Sequence, residues 1–264
     1  MAQIAVNLDV ERHCAEFERE GYSVVPAVVA EPEISELRDA VSSALSADLE
    51  RYRHLPGKER FIVLDLAHYG GAFFKLLEND TVDRLFGEIV GDHWTLYSFT
   101  STVALPHLEQ YTANIHTDTH RLSPGYNLGA VITIALDDFT EENGATYYLP
   151  GSHLSHPDRP DEAEFYAGAV RLCRKAGDAV FFHPRVWHAG GYNATDDVRS
   201  GLTVYACRSF MKPRFDFPRF IDDALLDGAS DRLRRVLGFD VRVPSSMEEF
   251  YRPPEERLYK SDQG

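Results

Sequence analysis

Residues 93–210 form a series of short apolar runs separated by Gly, Pro, Asn and Asp. Runs of this length with turn residues between them are typical of a β-barrel or jelly roll. The run 130–136 is rich in β-branched residues and too short for a convincing helix. The pattern predicts strands at residues 94–103, 129–136, 145–149, 169–173, 179–182 and 199–210.

The chain on either side of this region has helical patterns. Residues 9–20 are amphipathic and end at Gly21, a natural C-terminal cap, and a short strand is predicted at 22–25. Asp80 and Ser230 are candidate caps for later helices. No internal repeat or linker divides the sequence, so we expect one domain. The predicted division of the domain 1–264 is a β core at about 93–210 with helical flanks at 1–92 and 211–264.

Composition excludes several classes of partner. The 42 Asp and Glu residues outnumber the 27 Lys and Arg residues, and the net charge of −15 disfavours nucleic acid and anionic membranes. No apolar run reaches about 18 residues and no basic signal segment starts the chain, so no membrane association is expected. Cys14, Cys173 and Cys207 are odd in number and widely spaced. They are expected to be reduced core residues of a cytoplasmic protein.

Candidate metal ligands lie between two predicted strands. His116 and Asp118 are two residues apart, so on an extended chain their side chains project to the same face. His188, seventy residues beyond Asp118 (188 − 118), is the candidate third ligand. Two imidazoles and one carboxylate on one face of a metal, with open positions opposite, suit a non-haem Fe(II) oxygenase.

Two alternatives compete with this ligand set. A second His-x-Asp, formed by His156 and Asp158, follows a turn-like segment, and Pro157 between them cannot donate to a β-ladder, so it is interpreted as a loop. His183 ends an apolar strand five residues before His188. The glycines that follow His188 favour it as the ligand, and His183 is expected to be a hydrogen-bonded neighbour.

Several motifs occur in an order that resembles one known family. The motifs are His116-Thr117-Asp118, Asp137-Asp138-Phe139-Thr140-Glu141-Glu142-Asn143-Gly144, Leu149-Pro150-Gly151-Ser152-His153, Gly177-Asp178, His188-Ala189-Gly190-Gly191-Tyr192-Asn193 and Arg199. Together they resemble the phytanoyl-CoA dioxygenase family of Fe(II)- and 2-oxoglutarate-dependent oxygenases. The resemblance implies a mainly β fold with flanking α-helices: a double-stranded β-helix, or cupin-like jelly roll, with a metal near one mouth. It also implies that Fe(II), 2-oxoglutarate and O2 oxidise a substrate, releasing succinate and CO2.

The resemblance assigns roles to individual residues. His116, Asp118 and His188 match the metal ligands. Arg199, eleven residues beyond His188 (199 − 188), matches the arginine that holds the far carboxylate of 2-oxoglutarate, for which a guanidinium fork is suited. Thr133, in the next strand, lies where family members place a co-substrate contact.

Four further residues are weaker candidates. Asn114 shares the extended-chain face of His116 and is predicted to steady the co-substrate or a ligand. His120, Arg121 and Tyr126 belong to a loop expected at the mouth, where they are candidate substrate contacts. A solvated loop is the competing interpretation for these residues. Residues 208–215 and 251–254 are either a lid or a packed extension.

The substrate and the oligomeric state are left open by the sequence. Family members act on acyl-CoA thioesters, amino acids, osmolytes and natural products, and a fold does not choose among them. No basic cluster suggests a CoA tail, which favours a small polar or natural-product substrate. Related halogenases have a small residue in place of the carboxylate ligand, so Asp118 favours hydroxylation, with desaturation and ring formation open. The alternatives are a cupin-like zinc hydrolase or isomerase, and a catalytically silent jelly-roll binding protein.

Overall fold

The computed structural model describes residues 8–55, 62–108, 111–121, 123, 125–155 and 158–257. The strands are β1 (Tyr22–Val25), β2 (Thr95–Ala104), β3 (Gly129–Ala135), β4 (Tyr147–Tyr148), β5 (Val170–Arg171), β6 (Ala179–Phe182), β7 (His188–Ala189) and β8 (Arg199–Cys207). The helices are α1 (Val10–Glu20), α2 (Glu33–Tyr52), α3 (Ala72–Leu77), α4 (Asp80–Val90), α5 (Ser152–Ser155), α6 (Glu162–Gly168), α7 (Phe217–Phe220), α8 (Asp231–Val236) and α9 (Met247–Phe250). Short 3-10 helices occur at Ala67–Tyr69, Tyr111–Ala113, Asp223–Leu226 and Pro254–Glu256.

Two antiparallel sheets form the centre of the molecule. The larger has five strands in the order β1-β6-β3-β8-β2, and the smaller has three in the order β5-β4-β7. Helices α1 to α4 precede β2 and helices α7 to α9 follow β8, while β1 lies between α1 and α2, and α5 and α6 lie between β4 and β5. The predicted class, a jelly roll with helical flanks, is confirmed.

The larger sheet is buried on both faces. On one face Ile132 and Leu202 belong to a core cluster that also contains Phe86 of α4. On the other face Val131 and Tyr205, which are opposite each other in the β3–β8 register, pack in a second cluster. Alternate residues of a strand point to opposite faces, so burial of both faces explains the continuous apolar run of β3.

The predicted helix ends are correct with one exception. Gly21 terminates α1 in a left-handed conformation with φ 85°, which costs little without a side chain. Ser230 caps α8 by accepting a hydrogen bond from the Leu233 amide. The sequence predicted Asp80 as the cap of α4, but Asp80 is the first residue of this helix. Asn79 is the cap, because its side-chain oxygen accepts from two first-turn amides.

Strand lengths near the smaller sheet were overestimated. The predicted strands 145–149 and 169–173 contain only the two-residue strands β4 and β5. The predicted strand 199–210 ends at Cys207, and the two-residue strand β7 was not predicted. Short strands of this kind depend on partners distant in sequence, and a local apolar pattern does not define their limits.

The cysteine prediction is wrong at one position. Cys14 and Cys207 are buried and free, as expected, but Cys173 is exposed. It lies just after β5, beyond the end of the strand on which its burial was expected. Burial raises the pKa of the Cys14 thiol to about 11 and that of Cys207 to about 11, so both remain protonated at neutral pH.

Helix α2 is the longest helix in the described part of the chain. It carries charged residues along its length, and one stripe that includes Ile34, Leu37 and Val41 packs into the core. Among the described residues, no helix is both long and apolar enough to cross a membrane.

Candidate metal centre

The backbone brings His116 and His188 together. The two residues form an isolated antiparallel bridge, in which each backbone amide donates to the carbonyl of the other at 3.0 Å. Asp118 follows two residues later. One potential ligand atom from each of the three side chains lies within 4.8 Å of the others, a separation compatible with one shared metal ion. No other such group of His, Cys, Asp and Glu occurs among the described residues.

Hydrogen bonds orient both imidazole rings. Nδ1 of His116 donates to the Asn114 carbonyl at 2.7 Å, and Nδ1 of His188 donates to the Val186 carbonyl at 3.0 Å. A carbonyl oxygen only accepts, so each Nδ1 carries the proton and Nε2 retains the lone pair. Metal-binding histidines ordinarily have this arrangement, and the donor set therefore fits a metal ion.

The surroundings set the charge of the cluster. Burial, with a smaller contribution from the neighbouring His116, lowers the pKa of His188 to about 3, so the ring is neutral and able to bind a metal. The Asp118 side chain is reached by solvent, yet the surrounding protein raises the pKa of its carboxyl group by desolvation. The charges of His116 and Arg214 act in the opposite direction on this pKa. Two neutral imidazoles with one carboxylate suit Fe(II).

Arg199 faces the same small pocket as the three candidate ligands. The pocket has a volume of about 130 Å³, and Thr133 and Phe139 also line it. Arg199 is the first residue of β8 and is buried, and its Nε has no hydrogen-bond partner in the described part of the chain. Burial lowers the pKa of its guanidinium to about 9. A buried cation with an unsatisfied donor indicates an anion-binding position.

Two threonines place hydroxyl groups in the pocket. Thr133 on β3 is directly opposite Thr203 on β8, and their hydroxyl oxygens are 3.2 Å apart. Thr203 is four residues beyond Arg199 on the same strand, so the two side chains share a face. Tyr148 lines the same pocket. These groups can bond to the oxygens of a bound carboxylate.

The weaker sequence candidates lie outside this pocket. Asn114 lines a neighbouring surface pocket, and its backbone carbonyl accepts the hydrogen bond from His116. His120, Arg121 and Tyr126 are exposed, and the guanidinium carbon of Arg208 lies 4.2 Å from the Tyr126 ring centroid. Their assignment as substrate contacts stays a prediction.

The residues in or beside the pocket that were missed in the sequence include Phe139, Tyr148, Thr203 and Arg174. Phe139 lines the pocket, and the guanidinium carbon of Arg199 lies 4.0 Å from its ring centroid. Tyr148 stacks on His188, with 5.6 Å between ring centroids. Arg174 lies against Phe139. Phe139 is part of a quoted motif, but no local signal distinguishes a pocket aromatic from a core aromatic.

Other motif residues support the metal ligands from outside. The Ser152 hydroxyl accepts a hydrogen bond from the Trp187 amide, next to His188, at 2.9 Å. Asn193 is fully buried, and its amide nitrogen donates to the Ala104 carbonyl at the end of β2. These bonds hold both ends of the segment that carries His188.

Glycines allow the same segment to approach its neighbours closely. The Gly190 amide donates to the Thr112 carbonyl at 2.6 Å, and a Cβ on Gly190 would lie 2.8 Å from the Thr112 hydroxyl. A Cβ on Gly191 would lie 2.7 Å from the Ala145 carbonyl. A side chain at Gly190 would therefore press on Thr112, and one at Gly191 would press on the backbone of Ala145, so either would shift the segment that follows His188.

His183 is not part of the metal cluster. Its Nδ1 accepts a hydrogen bond from the Arg185 amide at 3.0 Å, and its ring lies 5.1 Å from that of His153. Burial lowers the pKa of His183 to about 3, with smaller contributions from His153 and Arg185. Of the second His-x-Asp, His156 lies outside the described residues, and Asp158 is exposed.

Because His183 is neutral in the folded protein, we expect the free energy of unfolding to decrease in mild acid. The unfolded chain takes up a proton near pH 6.5 and the folded protein does not do so until about pH 3. The contribution of His183 to the free energy of unfolding is therefore fully present above pH 6.5. It decreases as pH falls, by at most about 1.4 kcal/mol per pH unit. Urea denaturation between pH 7.5 and 5 should show a shallower pH dependence in His183→Asn than in wild type. His107→Asn, at an exposed histidine, is the control, and equal slopes in all three proteins would contradict the prediction.

A jelly roll with two histidines and one carboxylate converging beside a buried arginine defines the class of non-haem iron oxygenases that use 2-oxoglutarate. The chain belongs to the phytanoyl-CoA dioxygenase (PhyH) family, whose sequence profile matches residues 17–201. The resemblance inferred from the ordered motifs is thereby confirmed.

Individual relatives agree with this assignment. Rv1501 of Mycobacterium tuberculosis, an uncharacterised protein, is 28% identical over 253 residues, which cover 92% of each chain. The dioxygenase af480 of Aspergillus fumigatus is 27% identical, covering 88% of this chain and 78% of the relative. Among solved structures, the epimerase SnoN in complex with Fe3+, alpha ketoglutarate and nogalamycin RO has a TM-score of 0.62 at 21% identity. The match covers 84% of this chain and 91% of SnoN, and at that identity it shows a shared fold.

Proposed function

We propose that the protein is an Fe(II)- and 2-oxoglutarate-dependent dioxygenase that hydroxylates a small molecule, in particular a natural product, and releases succinate and CO2. The observation that carries the proposal is the position of Arg199. Its buried guanidinium has an unsatisfied nitrogen and lines the same pocket as His116, Asp118 and His188. A zinc hydrolase needs three ligands and a water but no buried cation to hold a dicarboxylic acid.

Each side chain has a distinct role in this proposal. His116, Asp118 and His188 hold the iron, and the bound iron with 2-oxoglutarate and O2 supplies the oxidising chemistry. Arg199 binds the far carboxylate of the co-substrate, and Thr133 donates its hydroxyl to the same carboxylate. The pocket thus fixes the direction in which the keto acid lies before any substrate is oxidised.

Hydroxylation is the proposed outcome for a specific reason. Asp118 supplies a carboxylate at the position where related halogenases have a small residue, so a halide has no free ligand position. SnoN, which shares the fold, is an epimerase, and the fold alone therefore does not choose the outcome. His120, Arg121 and Tyr126 remain the proposed substrate contacts, because their loop follows the ligand Asp118 directly.

The proposed compartment and domain organisation are supported by the cysteines and by the hydrophobic core. We propose that the chain works as one domain in the cytoplasm, because Cys173 is an exposed free thiol of the kind that a reducing compartment preserves. Core residues from α1, α4 and the larger sheet, including Phe17, Phe86 and Phe181, belong to one cluster, which supports a single folding unit.

Anaerobic titration tests the proposed function. The protein is loaded with Fe(II) and titrated with 2-oxoglutarate, and a weak visible charge-transfer band that saturates at one equivalent is expected. Admission of air should then release succinate, and mass spectrometry of substrate candidates should show a gain of one oxygen. The absence of both the band and succinate would contradict the proposal, whereas a mass change other than one oxygen would contradict hydroxylation alone.

A further inference from the structure

A second buried arginine lies beside Arg199. Arg174 forms an isolated antiparallel bridge with Phe139, and both backbone hydrogen bonds of this bridge are present. The guanidinium carbons of Arg174 and Arg199 each lie 4.0 Å from the Phe139 ring centroid. They are therefore no more than 8.0 Å apart, which is the sum of the two distances. One aromatic ring thus holds two buried cations together.

Both guanidinium groups have donors that no described residue satisfies. Arg174 is 6% exposed, and the only hydrogen bond of its side chain to a described residue runs from Nη1 to the Leu172 carbonyl at 3.3 Å. Its Nε and Nη2 have no partner in the described ranges, and neither has Nε of Arg199. Neither arginine forms an ion pair within those ranges. A guanidinium that served only the fold would be expected to have its donors satisfied.

The nearby acidic groups bond to other partners. Asp178 accepts hydrogen bonds from the amides of Ala27 and Lys175. Asp137 bonds to the Ser200 amide and to the Arg38 side chain. Neither acid forms an ion pair with Arg174 or Arg199 among the described residues. The two guanidinium groups, no more than 8.0 Å apart, therefore repel each other in the free protein, and together they attract an anion.

We propose that Arg174 is a positioning residue for the dicarboxylate co-substrate. Arg174 packs on Phe139 beside Arg199, and its positive charge attracts the far carboxylate that Arg199 binds. The two cations together therefore favour a keto acid with a second carboxylate over one without it. This inference rests on the proposed function. It implies that the free protein carries an electrostatic cost that bound 2-oxoglutarate removes.

Two substitutions of Arg174 distinguish the effect of its charge from the effect of its packing. Arg174→Met retains an unbranched side chain of similar length against Phe139 and removes the charge. At an effective dielectric constant of about 20, a charge some 8 Å away changes a binding constant on the order of tenfold or more. We expect Arg174→Met to weaken 2-oxoglutarate binding about tenfold in the anaerobic Fe(II) titration. Arg174→Lys, which retains the charge, should bind the co-substrate nearly as tightly as wild type.

Thermal unfolding without ligand gives a second measurement, in which Arg174→Met should be more stable than wild type although it binds 2-oxoglutarate more weakly. Removal of one of two buried like charges should raise the melting temperature of Arg174→Met by about 2–4 °C. The additional increase produced by Fe(II) and 2-oxoglutarate should be smaller than in wild type. 2-Oxobutyrate, which has the same keto acid group but no far carboxylate, should bind equally to wild type and Arg174→Met.

Each result has a clear meaning. A melting temperature lowered in Arg174→Met and Arg174→Lys alike, with unchanged 2-oxoglutarate affinity, would overturn the inference and make Arg174 a structural residue. Equal weakening of 2-oxoglutarate and 2-oxobutyrate would also overturn it, because the effect would not involve the far carboxylate. A wild-type protein that gives no band with 2-oxoglutarate contradicts the proposed function instead, so the two failures are distinguishable.

Discussion

Asp118→Ala should abolish succinate formation. Asp118 is the only carboxylate in the cluster, and its loss leaves His116 and His188 as two neutral ligands. Loss of partners that merely orient metal ligands typically costs 10–100-fold in metal affinity or activity, so loss of a ligand should cost at least about 100-fold in Fe(II) affinity. Succinate is measured with saturating Fe(II), 2-oxoglutarate and air, and Fe(II) affinity by anaerobic titration.

The sequence contains a matched control for this variant. Asp158 belongs to the second His-x-Asp and is exposed, so Asp158→Ala should retain wild-type succinate formation and iron affinity. Circular dichroism and melting temperature should show that both variants are folded. Full turnover by Asp118→Ala would remove the ligand assignment, and equal loss in both variants would indicate that the cluster is not the centre of the chemistry.

Arg199→Met should weaken 2-oxoglutarate binding by about 100-fold or more while iron remains bound. The buried guanidinium is the predicted partner of the far carboxylate, and a carboxylate left unpaired in a buried pocket costs about 2–5 kcal/mol. Each 1.4 kcal/mol corresponds to about tenfold in affinity. The anaerobic visible titration measures the dissociation constant directly, and the KM for 2-oxoglutarate should rise in parallel.

An exposed arginine provides the comparison. Arg219 is exposed, so Arg219→Met should leave the affinity for 2-oxoglutarate unchanged. The affinity of Arg199→Met for 2-oxobutyrate should also resemble that of wild type, because this keto acid has no far carboxylate. Unchanged 2-oxoglutarate affinity in a folded Arg199→Met would exclude Arg199 as the co-substrate contact.

Local patterns predicted the strands and helices that have a long apolar stripe. Strand β3 was recognised from its β-branched run, and α1 from its amphipathic pattern and terminal Gly21. The two-residue strands β4, β5 and β7 were misjudged or missed, because their existence depends on pairing with distant segments. Cys173 was misplaced for the same reason, since a residue just beyond a short strand has no fixed face.

In the candidate site, too, local sequence features were predictable and contacts between distant segments were not. His116, Asp118 and His188 were recognisable because donor type and two-residue spacing are local, and their order along the chain matched the family. Their approach within 4.8 Å results from the bridge between residues 116 and 188, which a sequence pattern does not contain. The one-domain organisation and the substrate contacts remain predictions.

The sequence by itself determined the family, the longer strands and helices and the candidate metal-binding side chains, because each depends on residue types and their spacing along the chain. Only the tertiary structure decided which side chains come together in the pocket and behind it. Arg174 and Arg199 are twenty-five positions apart (199 − 174) and lie on separate segments, and they meet only because both pack on Phe139. Burial then makes their charges significant, since water is excluded and the nearby acids already bond to other groups.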